Sequence, residues 1–294
     1  MAEVDLQAIH DHLSTLAYRA GARILAANPT QSAAGTKKNS ADIVTATDRA
    51  VEELVREELR GRWGEGFDFM GEETYKEGDV LGERPTFIVD PIDGTTNFVH
   101  GEGYLGLAVD RKPVVGVVYN PFTRTLYSAI RGQGAFLTSP FYDHARLPLR
   151  DPEPLTSLSQ CLVAVEWGSE REGKDYEVKV ETFRRLGASK KDGGAMVHGL
   201  RSLGSAELNL CKVAEGAVDL YWENGCYAWD VCAGWVILEE AGGKMVGSMP
   251  GDWEPKVEQR RYMAVRGGEG QRGVIEEFWG CVVGRVEVGF DGVS

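Results

Sequence analysis

The 294-residue sequence predicts an α/β fold of layered helices and strands, and three observations carry that expectation. Near the N-terminus, apolar residues recur at steps of three and four, the spacing of an amphipathic helix. Residues 86 to 90 form a short, β-branched apolar run, as a buried strand does. Beyond residue 160, stretches of strand and helix character alternate, the pattern of stacked α and β layers.

Leu6, Ile9, Leu13, Leu16, Ala20 and Ile24 define the first helix, which ends near Asn28 and Pro29. Residues 29 to 41, with Gly, Ser, Thr, Lys37 and Lys38, read as a polar loop. A second helix starts at Thr47 or Asp48 and turns Val51, Leu54, Val55 and Leu59 inward. Asp48 then lies at a helix N-terminus, where a carboxylate is electrostatically favoured. A loop at Glu72 precedes the strand 86 to 90, and Pro91, which has no N–H to give a ladder, should stop its pairing. Strands follow near 104 to 109, 114 to 119 and 125 to 130, with turns at Pro121 and Gly132 to Gly134. The Pro-rich, polar stretch 138 to 160 reads as a join between two halves. After it come a strand from Cys161 to Trp167, helices at 175 to 186 and 205 to 215, a strand at 218 to 222 and a helix at 229 to 242. There is no internal repeat and no low-complexity tract.

With 43% hydrophobic residues the chain can bury a substantial core, as one large or two small domains. Its formal charge of −13 argues against nucleic acid or an anionic membrane as the main partner. A phosphate substrate would have to be drawn in by metal ions held on some of those carboxylates. Five cysteines, with no CxxC pair, indicate neither a disulfide framework nor a thiolate zinc site, and fit a reducing compartment. No signal-peptide h-region and no stretch near the ~18 apolar residues of a membrane span is present, so the expectation is a soluble, cytoplasmic protein.

The most informative segment is Asp90, Pro91, Ile92, Asp93, Gly94, Thr95, Thr96, Asn97. Two carboxylates three residues apart, on the loop at the strand's C-terminal end, suit a hard cation such as Mg²⁺, which takes oxygen ligands. Gly94 lets the backbone approach a ligand, and the residues after it can open a helix whose free N–H groups face an anion. An Asp-rich turn with an Asx cap explains the same string. A second glycine pattern, Gly268 to Gly273, matches GxGxxG. It is set aside because a dinucleotide fold needs further βα units after that turn.

The 90 to 100 segment, DPIDGTTNFVH, closely resembles the signature of the inositol monophosphatase family. Gly71 to Thr74 resembles that family's GEE(S/T) segment and Asp42 to Asp48 its DxVTxxD segment. Trp229 to Gly234 resembles WDxxAG, and Glu240 to Gly243 resembles EAGG. The motifs stand in family order, and the resemblance runs from about Leu6 to Gly243.

The resemblance implies a five-layer αβαβα sandwich, one domain over residues 1 to 294 with halves of roughly 1 to 150 and 151 to 294. It implies a phosphomonoesterase using two or three Mg²⁺. Glu72, Asp90 and the carbonyl of Ile92 would hold the ion that carries the attacking water, with a weaker third ion near Glu72. Asp90, Asp93 and Asp230 would hold the ion facing the leaving oxygen. Thr95 and Asp48 match the pair that orients and deprotonates the water, against a simple helix cap for Asp48 and a helix N-terminal acid for Asp230. The N–H groups of Gly94 and Thr95 would cradle phosphate. Gly204, Ser205 and Ala206 match a segment lining the substrate side, with Asp93 and Asp230 beside it, and Glu223 matches an acid that binds ring hydroxyls. Lys37 matches a flap lysine, Glu73 is the solvated partner of Glu72, and His100 is structural.

Inositol monophosphate is the first substrate expected, with lithium sensitivity and a homodimer implied. The alternatives are a phosphatase for another sugar or quinate-pathway phosphate, and a metal-binding regulatory protein. Two departures from the family pattern stand out. Gly101 to Tyr104 runs a few residues short, which should shorten a core strand while leaving the ligands intact. The tail from Glu258 to Ser294 matches poorly, and its Phe278, Trp279, Gly280 resembles fungal quinate-cluster proteins.

Overall fold

The computed structural model describes residues 4–27, 35–36, 43–44, 46–99, 104–109 and 112–288. Lys37, His100, Gly101 to Gly103 and, from the upstream aspartate motif, Asp42 and Thr45 lie outside the described residues. The first part of the chain forms α1 (Leu6–Ala26), β1 (Gly35–Thr36), β2 (Ile43–Val44), α2 (Ala46–Trp63), β3 (Asp68–Gly71), β4 (Thr86–Asp93) and α3 (Thr95–Val99). Five strands follow: β5 (Tyr104–Val109), β6 (Val115–Asn120), β7 (Thr125–Ile130), β8 (Gly134–Ser139) and β9 (Tyr142–Arg146). The remainder is β10 (Leu162–Val165), α4 (Gly173–Gly187), β11 (Gly199–Arg201), α5 (Ala206–Glu215), β12 (Leu220–Asn224), α6 (Cys232–Glu240), β13 (Lys244–Gly247), β14 (Arg261–Val265) and α7 (Gln271–Cys281).

Strands β3 to β9 make a seven-stranded sheet in sequence order, parallel at β3/β4 and antiparallel elsewhere. A second sheet has the order β11-β10-β12-β14-β13, with β10 parallel to both neighbours. Both sheets are covered on both faces, and alternate residues of one strand therefore enter different cores. Phe87 and Val89 pack with Val115, Val117 and the buried stripes of α1 and α2. Ile88 and Val118 point the other way, onto α5 and α6, where Tyr221, Tyr262 and Ala264 of the second sheet meet them. Val163, Val165, Leu220, Trp222 and Val265 face outward again onto α4 and α7. The order α1/α2, sheet, α5/α6, sheet, α4/α7 is the αβαβα sandwich.

Several expectations need correction. β4 does not stop at Pro91: its ladder to β5 breaks between Asp90 and Asp93 and resumes at Asp93↔Tyr104. Pro91 sits in that irregularity, where no N–H is required. Both aspartates therefore belong to the strand's end rather than to a loop. The stretch from 138 is not only a join, because β8 and β9 form a hairpin there. β9 is the exposed edge of the sheet, so its polar composition is that of an edge strand. After residue 100, β5 has 6 residues, as β6 and β7 do, and pairs on both sides.

The central helix layer is seated hard on the first sheet. At Gly116 of β6 a Cβ would lie 2.3 Å from the Ala233 carbonyl oxygen and 2.5 Å from Val236 Cγ1. Gly116→Ala should therefore overpack this contact at a cost of about 1–3 kcal/mol, lowering the calorimetric Tm by several degrees. A wild-type Tm would show that α6 does not need this close approach.

Candidate active site

The last residues of β4 are shaped by their own hydrogen bonds. Ile92 N donates to Asp90 Oδ1 at 2.9 Å, which fixes one aspartate oxygen and turns the chain. Gly94 follows with φ +76°, and a Cβ there would lie 2.6 Å from the carbonyl oxygen of Gly204. Only glycine fits that left-handed, crowded position. Thr95 then opens α3, and its hydroxyl lies 3.1 Å from Asp48 Oδ1 and 3.3 Å from the Ile92 carbonyl oxygen. Asp48, in the first turn of α2, is fully buried, so its partner is a protein group rather than bulk water.

Asp90, Asp93 and Asp230 each bring a carboxylate oxygen to within 4.8 Å of the others. Asp90 and Asp93 are buried and Asp230 is half-buried. Burial, reinforced by Glu72, Asp93 and Asp230, holds Asp90 well above the ordinary carboxylate range. Burial, then the Asp93 and Glu72 charges, does the same to Asp230. Burial pushes Asp93 up to about 6, although Ser205 and the amides of Glu207 and Ala206 favour its charged form. Glu72 follows the last residue of β3, with its N–H on the Val89 carbonyl at 3.2 Å. Its charge helps to hold both Asp90 and Asp230 above their ordinary range. An all-oxygen, carboxylate-rich donor set of this kind suits a hard divalent cation.

Around this cluster the structure supplies groups that the sequence did not reveal. Glu166, at the end of β10, is buried and accepts from Leu203 N (2.5 Å), Gly204 N (2.9 Å), Ser202 Oγ (2.8 Å) and Asn209 Nδ2 (2.8 Å). It anchors the turn that abuts Gly94. The run Val163, Ala164, Val165, Glu166 has the same form as Ile88, Val89, Asp90, an apolar strand closed by an acid, and that signal could have marked it. Glu52 of α2 is buried, raised above the usual carboxylate range by that burial, and accepts Glu73 N at 2.7 Å. Glu207 accepts Ala233 N at 3.2 Å and Gly234 N at 2.5 Å.

The remaining expected residues fall as follows. Ser205 caps α5 and donates to Asp93 Oδ2 at 2.5 Å, and Ala206 is buried beside it with its amide on Asp93. Gly204 has its N–H committed to Glu166. Glu223 on β12 is buried, accepts the hydroxyl of Tyr221, and is pushed up to about 7 by burial and by Glu166. Glu73 is not solvated: its side chain is 5% exposed and lies 3.6 Å from Arg49. Tyr227 stacks on Trp229, Tyr75 packs at a tilt against both, and Tyr227 N donates to Asp230 Oδ2 at 2.6 Å.

A profile of the inositol monophosphatase family matches residues 5–282. "Inositol monophosphatase 2" of Saccharomyces cerevisiae is 47% identical over 262 residues, covering 85% of this chain and 86% of its own length. A Neurospora crassa protein named "Quinic acid degradation cluster protein x" is 39% identical over 280 residues, covering 83% and 81%. Among solved structures, an inositol monophosphatase from Anabaena superposes with a TM-score of 0.71 at 27% identity, covering 95% of this chain and 96% of that one.

The raised aspartates give the site a pH signature. Without a cation the folded state holds protons more tightly than the unfolded chain, whose carboxylates titrate near ~4. That stabilisation is full below the unfolded value and is lost as pH rises through about 6, the Asp93 value. Chelator-treated protein should thus lose thermal stability between those limits, and added Mg²⁺ should raise Tm more at pH 7.5 than at pH 5, because binding displaces protons. An equal Mg²⁺ effect at both pH values would separate the three aspartates from cation binding.

Proposed function

We propose that this chain, a phosphatase belonging to the metal-dependent inositol monophosphatase family, hydrolyses the phosphate monoester of a small polyol, inositol monophosphate first, with Mg²⁺ as its cation. The observation that carries the reading is the set of three aspartate oxygens within 4.8 Å beside a paired hydroxyl and buried carboxylate. Asp90, Asp93 and Asp230 would hold one ion, and Glu72, Asp90 and the Ile92 carbonyl another, with room for a third near Glu72. Bound there, such ions neutralise the phosphate dianion and acidify a water.

The chain's own groups supply the rest. With its hydrogen donated to Asp48 Oδ1, the Thr95 oxygen offers a lone pair to a water and orients it, and the proton released is taken up at Asp48. The amides of Gly94 and Thr95 would bind the phosphate oxygens. Glu223 would accept from ring hydroxyls, with Ser205 and Ala206 acting through Asp93 and Gly204 lining the substrate side. A single domain, cytoplasmic residence, a homodimer and lithium sensitivity belong to the same reading and rest on family membership. Among the described residues no helix is long and apolar enough to cross a membrane. A second reading, a sugar or quinate-pathway phosphate as substrate, draws on the Neurospora crassa relative.

Turnover against a panel of phosphomonoesters, with and without Mg²⁺, tests both readings, and no Mg²⁺-dependent turnover on any ester would overturn them. Asp230→Asn keeps an oxygen for Tyr227 N but weakens the cation site, and should cost roughly a thousandfold in kcat with the fold retained. Near-normal turnover at modest Mg²⁺ would remove the metal assignment.

Specificity rests on Glu223. A carboxylate accepting from two ring hydroxyls contributes about 1.5–3 kcal/mol, so Glu223→Ala should lower kcat/KM for inositol monophosphate about ten- to a hundredfold. Because the variant also strips Tyr221 of its acceptor, p-nitrophenyl phosphate serves as the internal control and should be nearly unaffected. Equal losses on both esters would make Glu223 structural.

A further inference from the structure

Asp93 and Asp230 come from different sheets: one ends β4 of the seven-stranded sheet, the other follows β12 of the five-stranded one. Something must set the distance between them. Glu207, in the first turn of α5, lies between the two sheets with 0% exposure. Its main-chain N–H donates to Asp93 Oδ2 at 2.7 Å, alongside the Ser205 hydroxyl at 2.5 Å. Its carboxylate points to the other aspartate's helix: Oε1 accepts Ala233 N at 3.2 Å and Oε2 accepts Gly234 N at 2.5 Å. These are first-turn amides of α6, which have no acceptor inside the helix, and the N-cap residue Val231 offers no side-chain bond. Glu207 caps α6 from another helix. One residue therefore grips Asp93 with its backbone and the helix that starts two residues after Asp230 with its side chain.

We infer that Glu207 is a positioning residue that sets the spacing of Asp93 and Asp230 and thereby the affinity of the cation they share. Its oxygens are turned to the α6 amides, so it serves the cluster without joining it. The inference rests on the metal-site reading above. It goes beyond that reading because it assigns the geometry of the site to a carboxylate that touches neither ion nor substrate. Buried bonds to two otherwise unpartnered helix amides are strong enough for the task and cannot be replaced by water at a fully buried position.

The test is calorimetric titration of the metal-free protein with Mg²⁺, comparing wild type, Glu207→Gln and Glu207→Ala, with Tm measured on each. Removing a group that orients metal ligands typically weakens affinity about ten- to a hundredfold, and Glu207→Ala should fall in that range. Glu207→Gln keeps one acceptor and should lie between it and wild type, and saturating Mg²⁺ should recover much of kcat in both. A lowered Tm with an unchanged Kd would make the residue merely structural and overturn the inference. A Gln variant as weak as the Ala variant would assign the effect to charge rather than position, and also overturn it. Should Glu207→Ala fail to fold, Glu207→Gln decides, a wild-type Kd counting against. Wild-type protein that takes up no Mg²⁺ would instead overturn the metal-site reading beneath it.

Discussion

Like charges held together where water is scarce are the constraint on which this structure depends. Asp90, Asp93 and Asp230 converge within 4.8 Å, and Glu72 repels two of them from the side. In isolation such a group relieves itself by binding protons or by moving apart, and the raised aspartates register the first tendency. A divalent cation would attract every one of these carboxylates and so offset their mutual repulsion. Burial and metal dependence are thus one property seen from two sides: the dry setting that makes the empty cluster costly makes the occupied one tight.

Preventing the second tendency, spreading, falls to another set of carboxylates. Glu52 takes the N–H of Glu73, Glu166 takes those of Leu203 and Gly204, and Glu207 takes those of Ala233 and Gly234. Each is buried, and each binds the backbone within a few residues of a group facing the cluster. The amides at turns and helix starts carry the partial positive charge that such acids need. These three acids are therefore internal scaffolding rather than solvated surface.

That division explains what could be read from the sequence. The inward faces of α1 and α2, the β4 run and the aspartates of the cluster show themselves locally, because periodicity and an apolar run closed by acids need no knowledge of the partner element. Glu207 does not. An acid in the first turn of a helix looks the same whether it faces water or the next helix, and what buries it lies 26 residues further on. The burial of Glu73 is hidden for the same reason, since it depends on α2 and Arg49. The continuation of β4 past Pro91 is invisible for a different reason: an irregular ladder absorbs the missing N–H, and only the partner strand reveals it. The β9 edge looked like a linker because an edge strand is polar on purpose.

Glu223, proposed above as a substrate contact, shares its support with the metal side, because Asp230 follows the same strand, β12. Glu223 stands on the second sheet, and its neighbour Asn224 gives its carbonyl oxygen to the buried ammonium of Lys179 at 2.9 Å, which also holds the Trp167 carbonyl at 3.0 Å. Lys179 belongs to α4, and α4 is in turn strapped by the C-terminal residues. Asp175 accepts Glu287 N at 2.7 Å and Val288 N at 2.9 Å, while Val286 is fully buried in the outer core. The family profile itself runs to residue 282, so most of the tail expected to match poorly belongs to the family pattern, and residues 286 to 288 pack against α4 behind the strand that carries Glu223. The outer layer thus braces β12 through Lys179, and β12 both carries Glu223 and leads to Asp230, so the proposed substrate contact and one of the clustered aspartates depend on the same strand.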